Sequence, residues 1–252
     1  DSHRYSRSVY LREQFPGVDV LLEAGKPLRK LLNNHTVYFY GYSGERVGSA
    51  SAFRRTGEDG LHIALAHGTV AENEQWTASP RDYSLKREDI EQSGFHYVAL
   101  GHHHNFKELR CGATPAVYPG TLEGLKFGEN GDRYLVVADV REDGVEIQKT
   151  TSNQRFFREI RIDLALAGIE RDDELAGIIA KDFGRDIIAR VLLTGSSDFL
   201  PPQKELEARL ADEFFHLQII DETRIYDGAL VRSLENERTV QGIFIRKMRE
   251  RI

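Results

Sequence analysis

The chain has 252 residues with 34 Lys+Arg against 40 Asp+Glu, a formal net charge of −6 and 40% hydrophobic residues, which excludes disorder and suits one large domain or two ordinary ones. Its single cysteine, Cys111, excludes an internal disulfide framework and a cysteine-cluster metal site, so any metal would rest on His, Asp, Glu or Asn and the setting reads as reducing and cytoplasmic. No apolar run approaches the ~20 residues of a membrane span, no basic-then-apolar signal opens the chain, and the acidic balance leaves only local patches for contact with nucleic acid.

In chain order, residues 6–14 read as a helix and residues 18–22, 35–42 and 61–66 as short β-rich runs. Ser84 is placed as the N-cap of a helix over 85–93, with Gly94 as its stop. Further β runs follow at 97–100, 116–118 and 133–140, with glycine and proline gathered in the loops 112–115 and 128–131. Residues 1–150 thus read as a layered α/β or β-sandwich domain whose loops carry function. From Thr151 the pattern becomes strand 155–164, helix 172–183, strand 186–193 and helix 201–217. The first helix carries Leu175, Ile178, Ile179 and Phe183 on one stripe and is ended by Gly184; the second carries Leu206, Leu210, Phe214 and Leu217. This order predicts a small α+β domain over 151–230 and a polar helical tail over 231–252.

Four histidines stand out by position. His67 ends the apolar run Leu61-His62-Ile63-Ala64-Leu65-Ala66 and is followed by Gly68; His102, His103 and His104 follow Tyr97-Val98-Ala99-Leu100-Gly101. Rigid strand ends beside glycine are where a fold can aim a side chain while the backbone turns away. If the segment stays extended, His102 and His104 face one way and His103 the other. Neutral imidazoles so placed suit zinc, manganese or iron, and they equally suit hydrogen-bonded loop histidines. His3, His35, His62, His96 and His216 have no such context and read as structural.

The strings Leu65-Ala66-His67-Gly68-Thr69-Val70, Gly101-His102-His103-His104, Tyr118-Pro119-Gly120-Thr121-Leu122-Glu123 and Phe127-Gly128-Glu129 resemble, in order and spacing, motifs of the SbcD-type DNA repair exonucleases of the calcineurin-like metallophosphoesterase superfamily. The resemblance covers about residues 1–150. It implies a β-sandwich flanked by helices, followed by a small α+β capping domain. It also implies two divalent metal ions, manganese by preference, with His67 and His102 on one and His104 on the other. The resemblance assigns no other catalytic residue and no DNA-contacting residue here. Family members draw metal ligands from five motifs, D-x-H, G-D, G-N-H, H-G and G-H-x-H, and the resemblance places only the last two here, at His67-Gly68 and at Gly101-His102-His103-His104. Asp1-Ser2 fits the residues after G-N-H, and the only methionine is Met248, so the expectation is an N-terminally truncated domain lacking roughly 80 to 100 residues.

The function this implies is a metal-dependent DNA double-strand-break repair nuclease subunit, an exonuclease or endonuclease, hydrolysing phosphodiesters at DNA ends beside an SbcC-like coiled-coil ATPase. A homodimer is a further expectation, and the isolated fragment is expected to be inactive. In the complete enzyme two ions roughly 3.5–4 Å apart would clamp the phosphodiester and activate a water. Against a basic DNA clamp, residues 151–252 carry 16 Lys+Arg and 19 Asp+Glu, leaving Arg155, Arg158 and Arg161, or Arg54 and Arg55, as local phosphate contacts. Two other readings stay open: a phosphodiesterase for nucleotides or small phosphoesters, and a non-catalytic partner-binding fragment whose tail, with Ile245, Met248 and Ile252 at helical spacing, docks on a partner helix.

Overall fold

The computed structural model describes residues 9, 13, 15–43, 53–71, 83–182, 184–197, 199–225, 236 and 239–249. They divide into two units, residues 1–123 with 132–153 and residues 124–131 with 154–252.

The first unit contains β1 (Leu28–Leu32), β2 (His35–Ser43), β3 (Leu61–His67), β4 (Thr69–Ala71), β5 (Ser84–Lys86), α1 (Arg87–Glu91), β6 (Tyr97–Gly101), β7 (Lys107–Cys111), β8 (Thr114–Tyr118), β9 (Tyr134–Arg141) and β10 (Gly144–Thr151). Six of the strands form one mixed sheet in the order β1-β2-β3-β6-β8-β7. Asn33 and Asn34, both at positive φ, make the two-residue turn that joins β1 to β2 with the twist of a hairpin. Strands β2, β3, β6 and β8 run parallel, so their C-terminal ends share one edge. There Ser43 aligns with His67 and His67 with Gly101. Alternation assigns the two faces. Tyr40, Tyr42, Ala64, Ala66, Val98, Leu100 and Tyr118 point into a core closed by Phe53, Tyr83, Phe95 and Ile90, with Phe95 edge-on to Tyr40 and Phe53 at 5.0 and 5.2 Å. Phe39, Ile63, Leu65, Ala99 and Val117 point to the other face, where cavities of about 690 and 800 Å³ lie against Val136 and Ala138 of the β9–β10 hairpin.

The second unit contains β11 (Phe156–Asp163), α2 (Asp172–Ile179), β12 (Gly184–Thr194), β13 (Ser196–Ser197), α3 (Gln203–Arg209), β14 (Phe214–Asp221), β15 (Arg224–Ile225) and α4 (Val240–Arg249). Its sheet, β11-β12-β14, is wholly parallel, and each crossover carries a helix, α2 then α3. This is a βαβαβ arrangement and not the α+β domain expected from the pattern. Ile162, Leu164, Leu175, Ile179, Val191, Leu193 and Leu206 close its core.

Other expectations are corrected. Residues 18–22 form no strand. The helix expected over 85–93 shrinks to α1, because Leu85 is buried in β5 opposite Val70 and the Asp89 carboxylate caps the helix by accepting the Lys86 N–H at 2.8 Å. The helix expected over 201–217 ends at Arg209, and Phe214 and Leu217 instead lie in β14. Among the described residues α1 is the first unit's one α-helix, so the expected flanking layer of helices is not seen there. The predicted helix over 6–14 and most of the tail outside α4 fall largely on residues outside those described. No helix among the described residues is long and apolar enough to cross a membrane.

Candidate functional site

His67 is the last residue of β3, and the chain must turn immediately after it. The Gly68 N–H donates to the Gly101 carbonyl at 3.2 Å, and a Cβ at Gly68 would stand 2.0 Å from the Tyr83 carbonyl oxygen. Glycine is therefore required by space. On the neighbouring strand Gly101 plays a matching part, since a Cβ there would come within 3.0 Å of His67 Nδ1. His102 follows at φ 105°, a conformation that a non-glycine residue holds only when its surroundings impose it, and one that gathers at functional sites. The result is an edge-on pair, His67 and His102, with ring centroids 5.4 Å apart.

The positive φ also ends the alternation on which the sequence argument relied. His103, expected to face away, lies edge-on to His102 at 5.1 Å and to Tyr118 at 4.8 Å. Among the described residues no three His, Cys, Asp or Glu side chains gather as a metal-holding group, so His104 is not grouped with the pair. Its turn is held through the backbone. The His104 carbonyl accepts from the Thr121 N–H at 3.1 Å and from Arg133 Nη1 at 2.7 Å. Tyr118 closes the other side, its hydroxyl donating to the Gly68 carbonyl at 2.8 Å and accepting from the Val70 N–H at 2.9 Å.

No protein-family model matches the chain. The chain is 22% identical over 209 residues to a protein of Bacillus subtilis (strain 168) named uncharacterized metallophosphoesterase YhaO, a stretch covering 75% of this chain and 50% of that protein. The likeness supports the calcineurin-like metallophosphoesterase superfamily. The mixed, strand-rich α/β architecture is compatible with a metallophosphoesterase fold. The chain spans half the length of that relative.

A divalent ion of a metallophosphoesterase would find in His67 and His102 two imidazoles, side chains of the type such an ion accepts, with ring centroids 5.4 Å apart. Two ions would need bridging and terminal carboxylates, and the described residues gather none beside the pair. They fit part of one ion's shell and not a binuclear centre. Burial pushes Tyr97, which lines the 690 Å³ cavity with His67, up to about 12, and Tyr42 likewise to about 12.

Of the arginines expected at phosphates, Arg155 stacks on Phe215 at 4.1 Å and Arg158 is bridged to Asp182 at 2.9 Å, while Arg54, Arg55 and Arg161 are exposed. The string Phe127-Gly128-Glu129 serves the second unit: Phe127 sits edge-on to Phe157 at 5.1 Å and under the Arg190 guanidinium at 3.8 Å, and Glu129 accepts the Leu125 N–H at 2.9 Å. Sequence reasoning missed Tyr118 and Arg133 as side chains of the site. Tyr118 stood inside a quoted string, whereas nothing marks Arg133 as buried.

Proposed function

We propose that the chain supplies the histidine side of a metal-dependent phosphodiester hydrolase, and that its substrate is a DNA end, processed together with a coiled-coil ATPase partner. One observation carries the reading: two imidazoles meet edge-on at the ends of adjacent parallel strands, one of them on a strained backbone. A divalent metal, manganese by the resemblance, supplies the Lewis acidity when bound. His67 and His102 contribute neutral donors, which leave such an ion electrophilic, and Gly68 and Gly101 give them room. The DNA end as substrate is supported by the strings Tyr118-Pro119-Gly120-Thr121 and Phe127-Gly128-Glu129 and by the presence of a second unit, since orienting a duplex takes contacts beyond the reacting phosphate.

A small phosphoester is the second reading. It is favoured by the 690 Å³ cavity that His67 lines, a volume within the range of small-molecule sites. The test is a side-by-side assay on linear duplex DNA and on bis-p-nitrophenyl phosphate with Mn²⁺, in the full protein that carries this chain. Cleavage of DNA that falls at least ~100-fold in His67→Ala and His102→Ala supports the nuclease reading. Turnover of the small ester with DNA untouched transfers the assignment to the second reading, and activity indifferent to both substitutions removes the site.

A further inference from the structure

The geometry points to Tyr118 and Arg133 as positioning residues, a two-point brace that holds the histidine-bearing turns after β3 and β6 in register. The inference deepens the proposed function and rests on it only for the consequence at a metal.

Tyr118 ends β8 and is 1% exposed. A phenol buried that deeply must use its hydroxyl as donor and acceptor or lose hydrogen bonds it had in water. Both roles are spent on the turn after His67, through the Gly68 carbonyl and the Val70 N–H. The same ring meets His103 edge-on, so one side chain touches both turns. Arg133 is 2% exposed. A buried guanidinium is costly unless its donors are used. Here Nη1 reaches the His104 carbonyl at 2.7 Å and Asn105 Oδ1 at 2.8 Å. The backbone of Arg133 is itself pinned: its N–H donates to Asn153 Oδ1 at 2.8 Å and its carbonyl accepts from the Ser152 N–H at 2.8 Å. Gly120, at φ 81°, lets the chain pass where a Cβ would stand 2.5 Å from the His104 carbonyl oxygen. His102 thus lies between two turns fixed from outside, which is what a strained φ needs in order to persist.

A brace differs from ordinary core packing in what its loss does. Core loss lowers the unfolding midpoint and leaves the surviving fold unchanged, whereas loss of the brace separates the two rings in a chain that is still folded. The test is carried out on the 252-residue chain with Tyr118→Phe, Arg133→Met and Arg133→Lys, reading the nuclear Overhauser cross-peak between the His67 and His102 ring protons beside the thermal midpoint. We expect the cross-peak in the wild type, at least threefold weakening in Tyr118→Phe and Arg133→Met, and retention in Arg133→Lys. If Arg133→Met does not fold, Asn105→Ala, which removes one acceptor from an exposed side chain, is read in its place with the same expected weakening. An unchanged cross-peak in Tyr118→Phe and in the Arg133 or Asn105 variant overturns the brace, as does its absence from the wild type. A separate Co²⁺ titration of the full protein that carries this chain, followed by visible absorption, tests the underlying reading. Binding that His67→Ala removes, weakened about 10–100-fold in the brace variants as for other groups that orient metal ligands, supports both. Absence of Co²⁺ binding in the full protein that carries this chain, with the cross-peak behaving as expected, sinks the metal reading and leaves the brace standing.

Discussion

The two units close their sheets differently. In the second, three parallel strands and the helices α2 and α3 bury Leu164, Leu175, Ile179, Leu193 and Leu206 almost completely. In the first, one sheet face is sealed by aromatics while the other carries Leu65 at 42% exposure and lines cavities of about 690 and 800 Å³. That face ends at the His67–His102 pair. Among the described residues, the helix-covered face of the second unit's sheet is thus tightly packed while its other face leaves Phe215 54% exposed, and the first unit leaves Leu65 partly open beside the edge that carries the histidines.

Core truncation should expose that division most strongly. Leu193→Ala, at 0% exposure, should cost about 2–5 kcal/mol of stability, as buried leucines do when they leave a cavity. Leu65→Ala should cost less than about 1 kcal/mol, because its side chain has less to lose. Urea unfolding of both variants measures the contrast, and equal costs would break it.

Glycines sharpen the comparison one step lower. Gly68→Ala must displace the Tyr83 carbonyl at 2.0 Å, an overpacking that costs about 1–3 kcal/mol and moves His67. Gly177, inside α2 with nothing within 4 Å of an added Cβ, should respond oppositely. Gly177→Ala should stabilise by about 0.4–1 kcal/mol through the unfolded chain. Thermal midpoints that fall for the first and rise for the second would confirm that backbone freedom is needed at the histidine-bearing edge and dispensable within α2.

How much of this was legible in the sequence depended on burial. The apolar runs of β2, β3, β6, β8 and β12 declared themselves because each is buried on at least one face, and the same runs placed His67 and His102 at strand ends. The edge strands β1, β7 and β10, rich in Lys, Arg and Glu, gave no such signal. Phe214 and Leu217 match a helical stripe as well as a strand, and only pairing with β12 decides between them. Within the site, the edge-on ring pair depends on a backbone angle at His102 that spacing cannot reveal. The partnership of Tyr118 with Gly68, 50 positions away in sequence, arises only once β8 lies beside β6.

The smallest expected effect belongs to the sealed face of the first unit, where His62 is 0% exposed. His62 Nε2 lies 2.9 Å from the Glu58 carbonyl, which can only accept, so Nε2 carries the proton and Nδ1 accepts from the Tyr40 hydroxyl at 2.8 Å. His96 Nδ1 accepts the His62 backbone N–H at 3.0 Å, and the two rings stack at 6.0 Å, with Tyr38 on His62 at 4.8 Å. Both imidazoles are held neutral. Burial, then the nearby Arg55, pushes His96 below its ordinary value; burial does the same for His62, with Arg55 adding to it against the Glu58 carbonyl and carboxylate. A group with a depressed folded pKa of this cationic kind binds its proton more readily when unfolded, so the unfolded state takes up more protons and stability falls as pH drops below about 6.5. Glu58, held down by the Thr56 hydroxyl, acts in the same direction but only in the carboxylate range, near pH 4. Urea midpoints of the first unit should therefore decline between pH 7.5 and 5, and His62→Gln should flatten that slope while lowering stability at pH 7.5. The second unit, whose one histidine is His216 on its surface, lacks this buried pair and should show no matching decline. A first unit equally stable at both pH values would mean that the His62–His96 stack accepts a proton without penalty, and the contrast between the two cores would then rest on packing alone.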